Sequence, residues 1–330
     1  MSIKKVLVTG LKILAVCIVF SLAFVIGGAL SGLSNIGTDS PASQSVQPLT
    51  EQVSSSAPQA PPKPSAQMPD NFLRPFLIFS VCVGLIVSYL ILRSSWHGWP
   101  LVAAICVGIY VVSTVAPQIE SVFFLSNKLP PGLVRALFLQ GAITAALFAP
   151  LAVLLLGKWR GVSRPPATDG YMGTPFWAWR LVIIVVAFVF LYMFFGYYVA
   201  WQNPALRQYY GGSEQSSFYA SLKANWMYHR SIYELQVFRA LLYAGCLYPL
   251  IRMLRSSRWE SALATALFLS VWTMPLLLPN PTMPASVAHT HFWETLGFSL
   301  VFGGLAGWLF SAPSKSIAIH FPSDVIHSSK

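Results

Sequence analysis

Eight side chains carry most of the chemistry this 330-residue chain could perform. They are Glu120, Glu234 and Glu294, Arg135 and Arg239, and His229, His289 and His291. Carboxylates and imidazoles ligate metals and move protons, and guanidinium groups hold anions. The densest grouping is "HTHFWE" at 289–294, with two histidines one residue apart and a glutamate three after the second. On a helix His291 and Glu294 share one face.

Two ligands on one face do not close a metal site. Tetrahedral zinc takes about four ligands, of which a catalytic site supplies about three from protein. Di-iron bundles use Glu-x-x-His twice, with two further glutamates. Here the order is His-x-x-Glu and it occurs once. His289, His229, Glu120 or Glu234 could add a ligand, but nothing in the spacing gathers them. The motif therefore reads as a polar helix entrance lining an outer cavity, with no bound metal or other cofactor. Glu294 in a first helical turn is also favoured by the helix dipole, by about 0.3–1 kcal/mol. Arg239 is harder to place. It lies one turn into an apolar run, after "ELQVF". A guanidinium at that depth needs a route to water or an acid from another helix, and Glu120 and Glu294 are the candidates.

The elements that must position these groups are membrane helices. The chain is 55% hydrophobic and only 9% charged. Soluble domains are charged at about 25% of positions, so this chain cannot coat a water-facing surface. About 20 apolar residues span a bilayer. Eight such runs lie near 13–33, 72–92, 100–124, 132–157, 176–200, 235–254, 261–279 and 292–312. The expected fold is all-α, a polytopic membrane protein of about eight transmembrane helices. The four cysteines sit inside apolar runs without CxxC spacing and read as small packing residues.

The net charge of +11 is a topology signal rather than a nucleic-acid one. With a cytoplasmic N-terminus and eight alternating spans, the clusters "GKWRGVSR" and "IRMLRSSR" both fall inside. The positive-inside rule then predicts N-in, C-in, and a multi-pass protein of a bacterial cytoplasmic (inner) membrane. The expected partners are the lipid bilayer and another membrane protein, with no nucleic acid.

Four parts follow. Residues 1–33 form a retained anchor helix, because the apolar core after "MSIKK" exceeds a cleavable signal's 7–15 residues. Residues 34–71, rich in Ser, Pro and Gln, read as a disordered outer linker that tethers this anchor loosely. Residues 72–312 form a seven-helix bundle, and 313–330 a cytoplasmic tail. Within the bundle, loop 201–234 repeats Phe218, Leu222 and Trp226 every four residues, the mark of a short interfacial helix. Ser231 to Glu234 and Ser257 to Glu260 match capping boxes. "VRALFLQG" at 134–141 echoes "FRALLYAG" at 238–245 and raises an internal repeat. The glycines at 297, 303, 304 and 307 predict close packing of the last helix.

Three functions fit this reading. The first is a non-catalytic scaffold, assembly factor or regulator. The second is a small-solute transporter. The third is an enzyme acting on a lipid or lipid-linked substrate at the outer face.

Overall fold

The computed structural model describes residues 3–33, 72–161, 174–212, 216–254, 256–279 and 283–311. The linker 34–71 and the tail 313–330 lie outside the described residues. The described residues are helical, with one isolated antiparallel bridge between Ser94 and Leu254. In chain order the helices are α1 (Ile3–Leu30), α2 (Leu73–Arg93), α3 (Gly98–Tyr110), α4 (Ala116–Leu125), α5 (Leu133–Leu155), α6 (Thr174–Phe195), α7 (Pro204–Tyr210), α8 (Phe218–Tyr228), α9 (Arg230–Arg252), α10 (Arg258–Val271) and α11 (Ala285–Phe310). All eight apolar runs fall on long helical segments. Six segments are long and apolar enough to cross a membrane: α1, α2, α3 continued through α4, α5, the stretch 177–200, and 258–277. The two others, α9 and α11, carry Gln236 and Arg239, and His291 and Glu294.

Two segments depart from α geometry. Val111–Val115 joins α3 to α4 as a π turn, closed by the Ala116 amide donating to the Val111 carbonyl. Pro117 explains part of this: it has no N–H to offer the Ser113 carbonyl, so the regular ladder breaks just before it. A second π turn, Gly196–Ala200, extends α6, and the Trp201 amide closes it onto Gly196 at 2.8 Å. Such turns frequently sit at functional positions.

Helix α1 is part of the bundle rather than a loose anchor. Its Phe20 ring is fully buried and meets Phe79, Phe148 and Trp272 edge-on, at 5.4, 5.1 and 6.0 Å. Cys17 lies flush against Gly84 of α2, and Gly27 against Gln140 and Thr144 of α5. The other face of α1 leaves Leu7, Leu11, Leu14, Ile18 and Leu22 exposed. That stripe, spaced three or four apart, suits contact with lipid tails. A second aromatic nucleus centres on Phe188 of α6, with Phe298 and Phe302 of α11 both at 5.0 Å.

The closest helix pair is α10 with α11. A methyl group added at Gly303 would stand 2.7 Å from the Ala266 Cα, and one at Gly307 2.4 Å from the Ser261 carbonyl oxygen. Ser261, Ala262, Thr265 and Ala266 supply the matching small face on α10. Lipid offers no hydrophobic drive between helices, so backbone approach of this kind supplies the attraction. Gly304 has no such neighbour within 4 Å, and Gly297 packs on the Phe195 ring.

At the end of the bundle where α2 and α9 finish, Arg93 of α2 grips Glu260 of α10 with two contacts of 2.7 and 2.9 Å, and the Tyr89 hydroxyl donates to the same carboxylate. Ser95 donates to the Met253 carbonyl, and the Lys158 ammonium to that of Ser94. Ser257 caps α10 as its capping box predicts. The box at Ser231 does not form. Helix α9 starts at Arg230, with only His229 between it and α8, so Ser231 already lies inside the helix. The echo between 134–141 and 238–245 does not extend to environment: Arg135 is exposed and Arg239 buried, while Gly141 abuts Thr114 and Gly245 has no close neighbour.

Replacing Gly307 with leucine is expected to destabilise the α10–α11 contact by about 1–3 kcal/mol, as overpacking does. Gly304→Ala should be close to neutral. Unfolding of the purified protein in mixed detergent micelles measures both, and equal behaviour of the two variants would remove the glycine contact as a source of stability.

Candidate functional site

The site lies at the opposite end from the Arg93–Glu260 pair, where α4 and α6 finish and α9 and α11 begin. Its base is an ion pair between Arg239 of α9 and Glu120 of α4, 2.7 Å apart. The Arg239 side chain is 8% exposed and Glu120 29%. The acid expected from another helix is therefore Glu120, one of the two candidates. Gln236, one helical turn before Arg239, is wholly buried and its carbonyl oxygen accepts from the guanidinium at 2.8 Å. The rings of Phe188 and Tyr192 on α6 stand 5.8 and 5.9 Å from the guanidinium carbon. Cation–π attraction adds to the pairing where water is excluded.

The second half is built on α11. His291 Nδ1 and a Glu294 oxygen are 2.7 Å apart, as their three-residue spacing allows. The other imidazole nitrogen, Nε2, lies 3.0 Å from the Tyr210 hydroxyl of α7. Helix α7 is set for this contact by its own caps. Asn203 accepts from the Ala205 amide at 2.9 Å, Pro204 opens the helix, and Gly211 closes it in the left-handed conformation at φ 75°. The Asn203 amide also donates to Thr290 on α11 at 2.7 Å, and Leu206 is buried beside Val287. These contacts seat α7 across the start of α11.

The halves meet at Tyr192, whose hydroxyl interacts with Glu120 and senses the charge of Glu294. Burial first, then the charges of Glu120 and Glu294, push the Tyr210 phenol well above its ordinary value. Tyr210 stays neutral and can donate to Nε2 while Nδ1–H donates to Glu294. Among the described residues, two buried donors, Gln236 Nε2 and Arg239 Nε, have no hydrogen-bond partner. Both π turns border the cluster: one ends five residues before Glu120, and the other begins four after Tyr192.

Of the eight sequence candidates, Glu120, Arg239, His291 and Glu294 converge. Arg135, His229, Glu234 and His289 are exposed. His229 serves as the junction between α8 and α9, and neighbouring Arg230 stacks over Trp226 at 4.8 Å. Among the described residues no group of three His, Cys, Asp or Glu side chains is placed to hold a metal. His291 and Glu294 spend their facing atoms on each other. Sequence reasoning missed Tyr192, Tyr210 and Gln236. For Gln236 the signal existed, since it stands one turn from Arg239 on the same face.

Breaking the base pair from one side should cost on the order of 3 kcal/mol, the low end for a buried pair because Glu120 keeps some exposure. Arg239→Met and Glu120→Leu together should cost clearly less than the two separately. A double-mutant cycle in mixed micelles reads the difference, and strict additivity would show the two groups to be uncoupled.

Comparison of the chain with protein-family models, with curated proteins and with solved structures finds no match in any of the three.

Proposed function

We propose that this chain is a non-catalytic membrane protein that scaffolds, assembles or regulates a membrane partner, with the Glu120–Arg239 and His291–Glu294 network as its internal clasp. The observation that carries this reading is the mutual engagement of the charged groups. Glu120 pairs with Arg239 and Glu294 with His291, so the network ties α4, α7, α9 and α11 to one another. A scaffold needs such cross-links because loops alone do not fix helix positions. The two unpartnered donors leave spare bonding capacity at the clasp, which suits a regulator that rearranges over a static strut.

The proposed topology has eight spans, with α9 and α11 joining the six most apolar helices. Both termini then lie on the cytoplasmic side of a bacterial inner membrane. Support comes from Arg93, Lys158, Arg180, Arg252 and Arg258, which all sit at the end away from the Glu120 cluster. Reporter fusions after residues 60, 215 and 285 should read outside, and those after 96, 165, 256 and 325 inside. An outside signal at 256 would overturn the eight-span arrangement.

A second reading is a proton-coupled transporter of a small solute. It is favoured by one observation: Glu120, His291 and Glu294 are titratable groups joined through Tyr192 and Tyr210 across the helices. Purification from native membranes at low detergent separates the readings. The scaffold reading expects a stoichiometric membrane-protein partner, lost or weakened in Arg239→Met. Proteoliposomes of the chain alone that acidify in step with solute uptake, and lose both in Glu294→Gln, would replace it with the transporter.

A further inference from the structure

We infer that α8 is a membrane-surface helix whose Tyr219 and Trp226 flank docks into the phospholipid headgroup layer, at the end of the bundle that carries the Glu120 cluster. The helix is held at both ends. At its start Phe218 meets Tyr197 and Tyr198 at 5.2 and 5.3 Å, and the Tyr197 hydroxyl donates to the Ser216 carbonyl at 2.7 Å. Both tyrosines belong to the π turn that extends α6. At its end only His229 separates α8 from α9. There Trp226 meets the Tyr233 ring at 5.4 Å, and the Tyr233 hydroxyl donates to the Leu222 carbonyl at 3.1 Å. Helix α8 thus lies across the finish of α6 and the start of α9, which pack on each other.

Phe218, Ser221, Leu222 and Asn225 are half-buried and make the side toward the protein. Two of the three residues in the sequence repeat, Phe218 and Leu222, are therefore used up in the fold. The exposed flank is offset from it. Tyr219 and Trp226, seven residues apart, share that flank and are 77% and 54% exposed. Ala224 lies about 140° round the helix from Tyr219. The direction of the flank follows from Tyr233, which stands inside the first turn of α9. A ring that reaches it from α8 points down toward the membrane. Its cover follows from continuity. Below Phe218, the exposed rings of Phe190, Phe194 and Tyr198 form a ladder, 6.0 and 4.8 Å apart, along one side of α6. Below Trp226, exposed Val237, Phe238 and Leu241 line α9. Such apolar sides of long helices face lipid tails, and α8 continues that surface upward. Residues 216–230 hold no acid but include Lys223 and Arg230, the latter stacked over Trp226 at 4.8 Å. Aromatic rings with a polar tip, interleaved with cations, match the level of lipid phosphates. The inference goes beyond the proposed scaffold role and needs only that the chain lie in a bilayer, so its failure would leave that role untouched.

The test uses the full chain in liposomes of phosphatidylethanolamine and phosphatidylglycerol. Cys17, Cys82, Cys106 and Cys246 are replaced by alanine, and a nitroxide is attached through Tyr219→Cys or Ala224→Cys. Its accessibility to oxygen and to a water-soluble nickel chelate gives the depth of each position. The label at 219 should sit roughly 5–10 Å below the phosphates, and the label at 224 level with them or above. Equal exposure of both labels to nickel would overturn the docking. Shielding at 219 that fades as the protein is diluted in lipid would assign the flank to a second copy and overturn it too. If the cysteine-free chain does not fold, Trp226→Phe in the parent chain serves. That change should remove part of the tryptophan emission that brominated phospholipid quenches. Loss only of emission that aqueous acrylamide quenches would place Trp226 in water and overturn the inference.

Discussion

A guanidinium in an apolar helix bundle must be paired, and one end of this molecule is arranged around that requirement. A charge at the centre of a bilayer costs at least about 2.5 kcal/mol, so Arg239 needs an acid brought to it. Glu120 can arrive only if α4 runs alongside α9 at the right height and rotation. Gln236 takes a second guanidinium N–H, and the Phe188 and Tyr192 rings close the sides. Once Glu120 is fixed, Tyr192 and Glu294 are drawn toward the same cluster, and α7 follows through Tyr210 and His291.

The opposing pull is steric. Helices that hold a polar cluster together must also come close enough to exclude lipid, and the small residues permit this. Gly303 and Gly307 let α11 lie almost backbone to backbone on α10, and Gly27 and Gly84 do the same for α1 against α5 and α2. Packing at these crossings and pairing at the cluster are independent sources of cohesion. One acts through van der Waals contact along the helices and the other through charge at one end.

The positions of the long helices were legible because apolar run length is a direct physical requirement of the bilayer. The acid partner of Arg239 was legible for the same reason: an isolated charge announces that something must neutralise it. Which glutamate answers was not, because helix adjacency is a property of the whole bundle. Tyr210 was hidden among many aromatics with the same interfacial signature, and nothing in its neighbours points to His291. Ser231 misled because its pattern fits a cap, while the start of α9 is set by its near-continuity with α8. Arg135 misled because an eight-residue echo carries side-chain types but not depth. Helices α9 and α11 are the least apolar of the long segments, and they carry the cluster. Their polar residues weaken the signal that identifies spans and sharpen the one that identifies sites.

The two π turns give the cluster a mechanical property that neither pairing nor packing supplies. Each turn holds one surplus residue relative to the α-helix around it. Sliding that surplus along the helix is a local exchange of hydrogen bonds, yet each residue it passes rotates by roughly 100°. Pro117, with no N–H to complete a regular ladder, holds the first turn ahead of Glu120 and so sets the rotation at which that carboxylate faces Arg239. The second turn lies beyond Tyr192, so its surplus rotates Gly196–Ala200 and the entry to α7 and leaves the phenol in the α register. The bundle thus carries a rotary offset on each helix that flanks the cluster, and the angular register of its polar groups follows from where those offsets lie.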